Sequence, residues 1–333
     1  MPVADQALAF WTVAPGRGEL RAEPLPQTPA GCVRVRTLYS GISRGTEALV
    51  FNGRVPASEW QRMRAPFQAG DFPAPVKYGY MSVGEVVEGP AEYRGRRVFC
   101  LYPHQSEYVV PADAVAPLPD RLPPARAVLG ANMETALNAV WDATPRPGER
   151  ISIIGAGVVG CLAASLCARI PGCDVELVDV NPARAAMAEA LGARFRHSDD
   201  AGDDRDRVLH ASGTPAGLRR ALELAGDEAE IIELSWYGDQ SVELPLGARF
   251  HSGRLTLRAS QVGGLPPAMR PRWTFRRRLD TALRLLTDPR YDVLITGEST
   301  FETLPETLAR LALRPGDTLC HRIRYPHQEG SDV

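Results

Sequence analysis

Apolar and polar residues alternate with period two along Cys32-Val-Arg-Val-Arg-Thr-Leu-Tyr39, the pattern of a strand with one buried face. Ser82–Glu88, Arg97–Leu101 and Glu107–Val110 read as three more strands. Turn formers separate them at Pro15-Gly16, Gly53, Gly70-Asp71, Pro90 and Pro103. Short strands at this spacing predict a small barrel or sandwich over roughly the first 120 residues. Trp60–Ala69 is less regular and reads as a loop or a short helix.

From Pro124 to Thr144 the apolar period becomes helical, and Pro145-Arg-Pro-Gly148 interrupts it. A strand carrying Ile151, Ile153 and Ile154 then breaks into Gly155, Gly157 and Gly160, and a helical pattern runs from Cys161 to Arg169. Further strands follow at Val175–Asp179, near Ala193–Phe195, and at Arg207–Ala211, Glu230–Leu234 and Arg254–Arg258. Asn181-Pro182 and Thr214-Pro215 are helix starts, with a capping side chain followed by a proline whose missing N–H costs nothing. Six strands alternating with helices predict an α/β doubly wound parallel sheet. After Gly263 come an amphipathic helix at Phe275–Asp288, another at Leu304–Leu313, and a closing strand at Thr318–Tyr325. This tail has too little apolar sequence for its own core. We therefore expect it to return to the first domain, giving a discontinuous domain of residues 1–134 and 262–333 around a nucleotide domain of residues 135–261.

Each glycine of the turn has a mechanical reason. Gly155 permits the tight bend, Gly157 lets a pyrophosphate approach the backbone, and Gly160 lets helix and strand pack closely. The helix opening at Val158 and Val159 offers N–H groups and a positive dipole end to phosphate. Asp179, 19 residues past Gly160, stands where a carboxylate accepts hydrogen bonds from an adenosine ribose, with Val180 beside it and Arg184 within reach. Ser212, Gly213, Ser235 and Trp236 end the fourth and fifth strands, at the edge where ligands bind such sheets; Tyr237 and Gln261 are further pocket candidates. The order of strand, glycine turn, helix, strand and acid predicts a dinucleotide site. The alternative is a fold relative, such as a methyltransferase, using the same turn for another nucleotide. The negative charge of Asp179 opposes a 2′-phosphate, so NAD(H) is favoured, while Arg184 leaves NADP(H) possible.

Composition narrows the function classes. A formal net charge of −2 gives no pull toward nucleic acid or an anionic membrane. No apolar run approaches the ~20 residues of a membrane span. The opening Met-Pro-Val-Ala-Asp lacks a basic end followed by an apolar core, so no secretory signal is expected. Six scattered cysteines read as reduced thiols, which predicts a cytoplasmic protein.

A strand-rich domain, a dinucleotide domain and a short return, in that order, resemble the medium-chain dehydrogenase/reductase family over nearly the whole chain. The resemblance implies a GroES-like β-barrel catalytic domain, a Rossmann domain and an active site in the cleft between them. Asn132-Met-Glu-Thr-Ala-Leu-Asn138, with Thr135 at its centre, looks like the family's start of the coenzyme domain. Tyr39-Ser-Gly-Ile-Ser-Arg-Gly-Thr-Glu47 is similar to the segment that carries a catalytic Cys in zinc members, and Gly79-Tyr-Met81 stands where those members have Gly-His-Glu. The Cys position is therefore Ser43, and the His and Glu positions are Tyr80 and Met81. A further Cys near Met133 is absent, and the interval Glu88–Cys100 is too short for a four-cysteine lobe and holds one Cys. Zinc needs three or four soft or imidazole ligands, so neither catalytic nor structural zinc is expected; Cys100 and His104 read as ordinary residues. Ser40–Glu47 most resembles the bacteriochlorophyllide dehydrogenase branch, which oxidises a hydroxyethyl side group to a ketone.

Hydride chemistry belongs to the cofactor, but a protein group must still meet the substrate oxygen. Tyr80 is the first candidate donor; the plain alternative is a packed aromatic. His104 is a candidate proton relay, Lys77 a candidate partner for Tyr80, Ser43 a donor where a metal ligand would stand, and Glu134 a cleft carboxylate or helix cap. The resemblance implies that Arg44 pairs with pyrophosphate, and that the protein is a homodimer or homotetramer. The cluster Arg270, Arg272, Arg276, Arg277 and Arg278 reads as a solvated face or as a clamp for an anionic substrate group. The expected function is zinc-independent, NAD(H)-dependent oxidoreduction of a secondary alcohol or ketone in a biosynthetic small molecule. Two rivals are an NADPH-dependent ene, quinone or imine reductase and a non-catalytic nucleotide-binding protein. The expected partner is a small-molecule substrate, with neither nucleic acid nor membrane.

Overall fold

The computed structural model describes residues 6–326. The opening pentapeptide, read as no secretory signal, lies outside them.

A hairpin comes first. Strands β1 (Gln6–Ala14) and β2 (Arg17–Pro24) turn at Gly16, which takes φ +73°. Next come β3 (Cys32–Ile42), helix α1 (Arg44–Phe51), the two-residue strands β4 (Ala69–Gly70) and β5 (Val76–Lys77), then β6 (Ser82–Glu88), β7 (Arg97–Cys100), β8 (Glu107–Pro111) and β9 (Val115–Pro117). Short helix α2 (Pro124–Ala127) and helix α3 (Gly130–Ala143) lead to β10 (Arg150–Ile154). Helix α4 (Val158–Cys167), β11 (Asp174–Asp179), α5 (Ala185–Ala190), β12 (Arg194–His197), β13 (Arg205–His210), α6 (Pro215–Leu224), β14 (Ala225–Glu233) and β15 (Thr256–Ala259) follow. Helix α7 (Phe275–Leu285), β16 (Ile295–Thr300), α8 (Leu304–Leu313) and β17 (Cys320–Arg324) close the chain.

Two compact units result: Met1–Ala131 with Leu286–Asp288 and Ile295–Val333, and Asn132–Leu285 with Pro289–Leu294. In the first, a four-stranded sheet runs β2-β1-β5-β4, and a seven-stranded sheet runs β16-β17-β3-β6-β7-β9 with β8 paired to β3. Two apolar clusters of the described residues lie in it. One gathers Val33, Val35, Val86, Val98, Tyr108 and Val110 from the strands. The other joins Phe10, Ile42 and Phe51 to Phe301, Leu304, Leu308, Ile323 and Tyr325, so the C-terminal return completes the core of the first unit. In the second unit six strands pair in the order β12-β11-β10-β13-β14-β15, each pair parallel. This is the doubly wound α/β sheet expected from the alternation of strands and helices. The two helix starts cap as read: Asn181 accepts the Ala183 N–H at 3.0 Å, and Thr214 accepts the Gly217 N–H at 3.1 Å.

The chain returns later than residue 262. Residues 262–285 stay with the second unit because buried Arg278 ties α7 down there. Its guanidinium donates to Glu134 (2.9 Å), to Asn138 (2.6 Å) and to the Val262 carbonyl (2.6 Å). Arg278 is thus removed from the solvated cluster in which its sequence neighbours placed it.

Candidate active site

The nucleotide end of the second unit begins where β10 stops. Gly155 takes φ +103°, and a Cβ there would lie 2.6 Å from the Ser212 backbone, so only glycine fits. A Cβ on Gly160 would collide with the Gly155 carbonyl oxygen, which enforces the close packing of α4 on its strand. Gly157 differs from both. It has φ −77°, within the range of any residue, and a Cβ would meet nothing within 4 Å. The chain's own packing does not require glycine there. A bare backbone at the entry of α4, where Val158 and Val159 present the first helical N–H groups, does suit a pyrophosphate.

Asp179 ends β11 with both carboxylate oxygens engaged: Oδ2 accepts the Ala156 N–H at 2.7 Å and Oδ1 the Asn181 N–H at 2.9 Å. Val180 beside it is 72% exposed, an apolar surface next to the acid. Arg184 is buried rather than extended into solvent, and its charge acts on the Cys161 thiol. Thr135 is half-buried on α3.

At the ends of β13 and β14 the structure adds residues that sequence reading missed. His210 is fully buried, with Nδ1 2.8 Å from Glu233 and Nε2 2.6 Å from Ser212 Oγ. Glu233 also accepts the Tyr237 hydroxyl (2.9 Å) and the Ser235 N–H (2.6 Å), and Ser235 Oγ accepts the Gly213 N–H (3.0 Å). His210 and Glu233 thus fix the two loops whose Ser212, Gly213, Ser235 and Trp236 were singled out; their partly apolar strand positions gave no sign of it. Gln261 turns back on its own loop, accepting the Gly263 N–H at 2.6 Å.

In the first unit a polar cluster forms around α1. Ser43 is its N-cap residue, and its N–H is accepted by Glu47 Oε1 at 2.8 Å, while the Glu47 N–H donates to the Ser43 carbonyl at 2.9 Å. Tyr80 is partly open at its surface, yet its hydroxyl is bonded to the side chains of Ser43 and Thr46. Burial pushes that hydroxyl up to about 12, and the Glu47 charge adds to the effect. His104 is 1% exposed, between Glu47 Oε2 on Nε2 (2.8 Å) and Ser40 Oγ on Nδ1 (2.7 Å); Ser40 lies 3.0 Å from the Tyr325 hydroxyl. Tyr80, Ser43 and His104 therefore meet around Glu47. The segment Ser40–Glu47 carried that signal, although the sequence reading left Glu47 and Ser40 without roles.

The other candidates are engaged elsewhere. Lys77 is buried and paired with Glu23 at 2.6 Å and with Gln105 at 2.8 Å, rather than with Tyr80. Glu134 holds Arg278 at 2.9 Å, and burial raises its carboxyl despite that guanidinium. Arg44 donates to the Thr318 carbonyl at 2.9 Å. Cys100 faces the Ala114 carbonyl at 3.6 Å, and burial pushes its thiol up to about 12. Among the described residues no three His, Cys, Asp or Glu side chains are grouped to hold a metal ion, and no helix is long and apolar enough to cross a membrane.

Comparison with known proteins bears on the fold. Residues 134–224 match the model of the alanine dehydrogenase/PNT C-terminal domain. An L-threonine 3-dehydrogenase of Ruegeria pomeroyi is 30% identical over 164 residues, 49% of this chain but only 42% of that protein. D-guloside 3-dehydrogenase of Escherichia coli is 25% identical over 327 residues, spanning 89% of this chain and 90% of its own length. Among solved structures, a protein of Sinorhizobium meliloti described as a zinc-binding dehydrogenase, with NADP bound, superposes with a TM-score of 0.76 at 16% identity, over 96% of this chain and 99% of that one. The two units accordingly have the GroES-like and Rossmann folds. With its glycine turn, its parallel sheet and relatives aligned along most of its length, the chain is similar to the alcohol dehydrogenase-like proteins of the medium-chain dehydrogenase/reductase family.

Proposed function

We propose that this protein is an oxidoreductase that moves hydride between a nicotinamide dinucleotide, NAD(H) before NADP(H), and a secondary alcohol or ketone of a biosynthetic small molecule, without zinc. The observation that carries the reading is the setting of Tyr80. Its phenol occupies a position where zinc members of the family have a histidine, bonded to Ser43 and Thr46 and kept protonated by burial and by Glu47. Such a phenol is a poor proton shuttle but a good hydrogen-bond donor to an oxygen that gains charge. The bound nicotinamide would supply or accept the hydride. Gly157 and the first turn of α4 would hold the pyrophosphate, and Asp179 the adenosine ribose. Zinc does not suit the donors present: a serine hydroxyl, a protonated phenol and the thioether of Met81 replace thiolate, imidazole and carboxylate. The scattered free cysteines support a cytoplasmic location; a homodimer or homotetramer remains the proposed assembly, to be checked by light scattering, where a monomer would refute it.

The test is NAD+-dependent oxidation of a panel of secondary alcohols, followed by NADH absorbance, with the best alcohol as probe. Tyr80→Phe should lose about 100-fold in kcat, the scale of one transition-state donor, with NADH affinity unchanged. Full turnover in Tyr80→Phe would remove this mechanism. One tightly held zinc per purified chain would overturn its metal-free character.

A further inference from the structure

We propose that Glu47 is the positioning residue of the first unit's polar site: one buried carboxylate that fixes where the proton sits on His104 and clamps the turn presenting Ser43 to Tyr80. The inference rests on the role given above to Tyr80, but its structural part is testable alone.

Glu47 is 2% exposed and has two calls on its oxygens. Oε1 takes the Ser43 N–H at 2.8 Å, a donor that cannot reverse. Oε2 faces His104 Nε2 at 2.8 Å. A bare ring nitrogen against a carboxylate would set two acceptors together, so Nε2 must carry the proton. Nδ1 of a neutral ring then accepts the Ser40 O–H at 2.7 Å, and Ser40 in turn accepts the Tyr325 O–H at 3.0 Å. The direction of every bond in this four-residue chain follows from the charge at one end. The Tyr325 end cannot impose the opposite sense by ionising: burial drives its hydroxyl far above the ordinary tyrosine range, and Glu47 adds to that rise. The chain therefore does not feed protons from Tyr325. It is a lock, and Tyr325 is itself held by stacking on Phe301 with ring centres 4.3 Å apart. The same carboxylate charge reaches Tyr78, Tyr80 and Cys320 and favours their protonated forms. Glu47 thus connects a buried ring that touches no solvent with the phenol proposed to meet substrate.

The experiment is ring-nitrogen NMR of the 15N-histidine-labelled full chain, with His104→Gln assigning the His104 signals. The parent should show a proton on Nε2. In Glu47→Gln the side-chain oxygen must stay on the fixed Ser43 N–H, which turns the amide donor toward the ring. The proton should move to Nδ1, and kcat with the alcohol probe should fall about tenfold, with KM for NAD+ unchanged. Glu47→Asp, which keeps the charge, should retain the parent tautomer and part of the turnover. Ser40→Ala, a small change that leaves Glu47 in place, should also keep the proton on Nε2. An unchanged tautomer in Glu47→Gln, or a switched one in Ser40→Ala, overturns the inference. A switched tautomer in Glu47→Gln with parent turnover, while Tyr80→Phe is inactive, refutes the positioning role and leaves the function standing. Full turnover in Tyr80→Phe refutes the function instead, while the tautomer still judges Glu47 as the lock.

Discussion

Asp179 holds the backbone N–H of Ala156 at 2.7 Å, so the acid that ends the second strand of the parallel sheet is tied directly into the glycine turn that ends the first. The bond orients a carboxylate where an adenosine ribose is expected, and the same charge opposes a 2′-phosphate by an amount on the order of a few kcal/mol. Asp179→Asn keeps an oxygen for Ala156, gives up the acceptor for the Asn181 N–H and drops the charge. It should narrow the preference for NADH over NADPH roughly tenfold, measured as the ratio of the two Kd values by fluorescence titration. Equal affinities in the parent would contradict the NAD(H) assignment.

Two glycines of that turn should separate binding from folding. Gly157→Ala adds a methyl group that touches no protein atom, at a φ open to any residue. Its Tm should stay within about 2 °C of the parent, while Kd for NADH rises about tenfold as the methyl group crowds the pyrophosphate. Gly155→Ala forces φ +103° on a side chain pressed against the Ser212 backbone, so it should lower Tm markedly. Gly157→Ala with parent affinity would remove the pyrophosphate from this turn.

Arg278 is a stability residue in this structure, not part of an anion clamp. Arg278→Met leaves the Glu134 carboxylate buried without its partner, which should cost about 3–5 kcal/mol. The double variant with Glu134→Gln should recover much of that loss in urea unfolding. Loss of turnover at parent stability would return Glu134 to the catalytic candidates.

The alkaline limit of stability follows from buried acids. Tyr80 moves from an ordinary 10.0 to about 12, and the thiols of Cys100, Cys161, Cys167 and Cys320 from 9.0 to about 12. In that window the native chain keeps protons that the unfolded chain releases. Their contribution is full below about pH 9 and is lost as pH rises toward 12. The urea midpoint should therefore hold steady to about pH 9 and then decline; a midpoint that climbs through this range would contradict the burial of these groups.

The sequence disclosed the parallel sheet well because its signals are local: each strand is a short apolar run, and two helical starts, at Asn181 and Thr214, carry their own caps. The hairpin β1–β2 stayed hidden for a physical reason. In β1 the buried positions hold Ala7, Ala9, Phe10 and Thr12, whereas Leu8 is 43% exposed, so period-two alternation is broken. Helix α1 was obscured by Gly45 and Thr46 in its first turn, and only the tertiary bonds of Glu47 show what the segment does. The pairings of Lys77 and Glu134 could not be read because a buried ion pair is set by partners distant in sequence, Glu23 for one and Arg278 for the other.

The late return of the chain also bears on synthesis. Every strand of the nucleotide-binding sheet has left the ribosome once Leu294 emerges, whereas the end of β3, Tyr39–Ile42, must wait for Cys320–Arg324 before its second antiparallel neighbour exists. The sheet made second should thus finish first, and the opening segment must stay soluble in the meantime with an unpaired flank. Stalled nascent chains that end before β17 should bind NADH already, yet remain open to protease near residues 39–42.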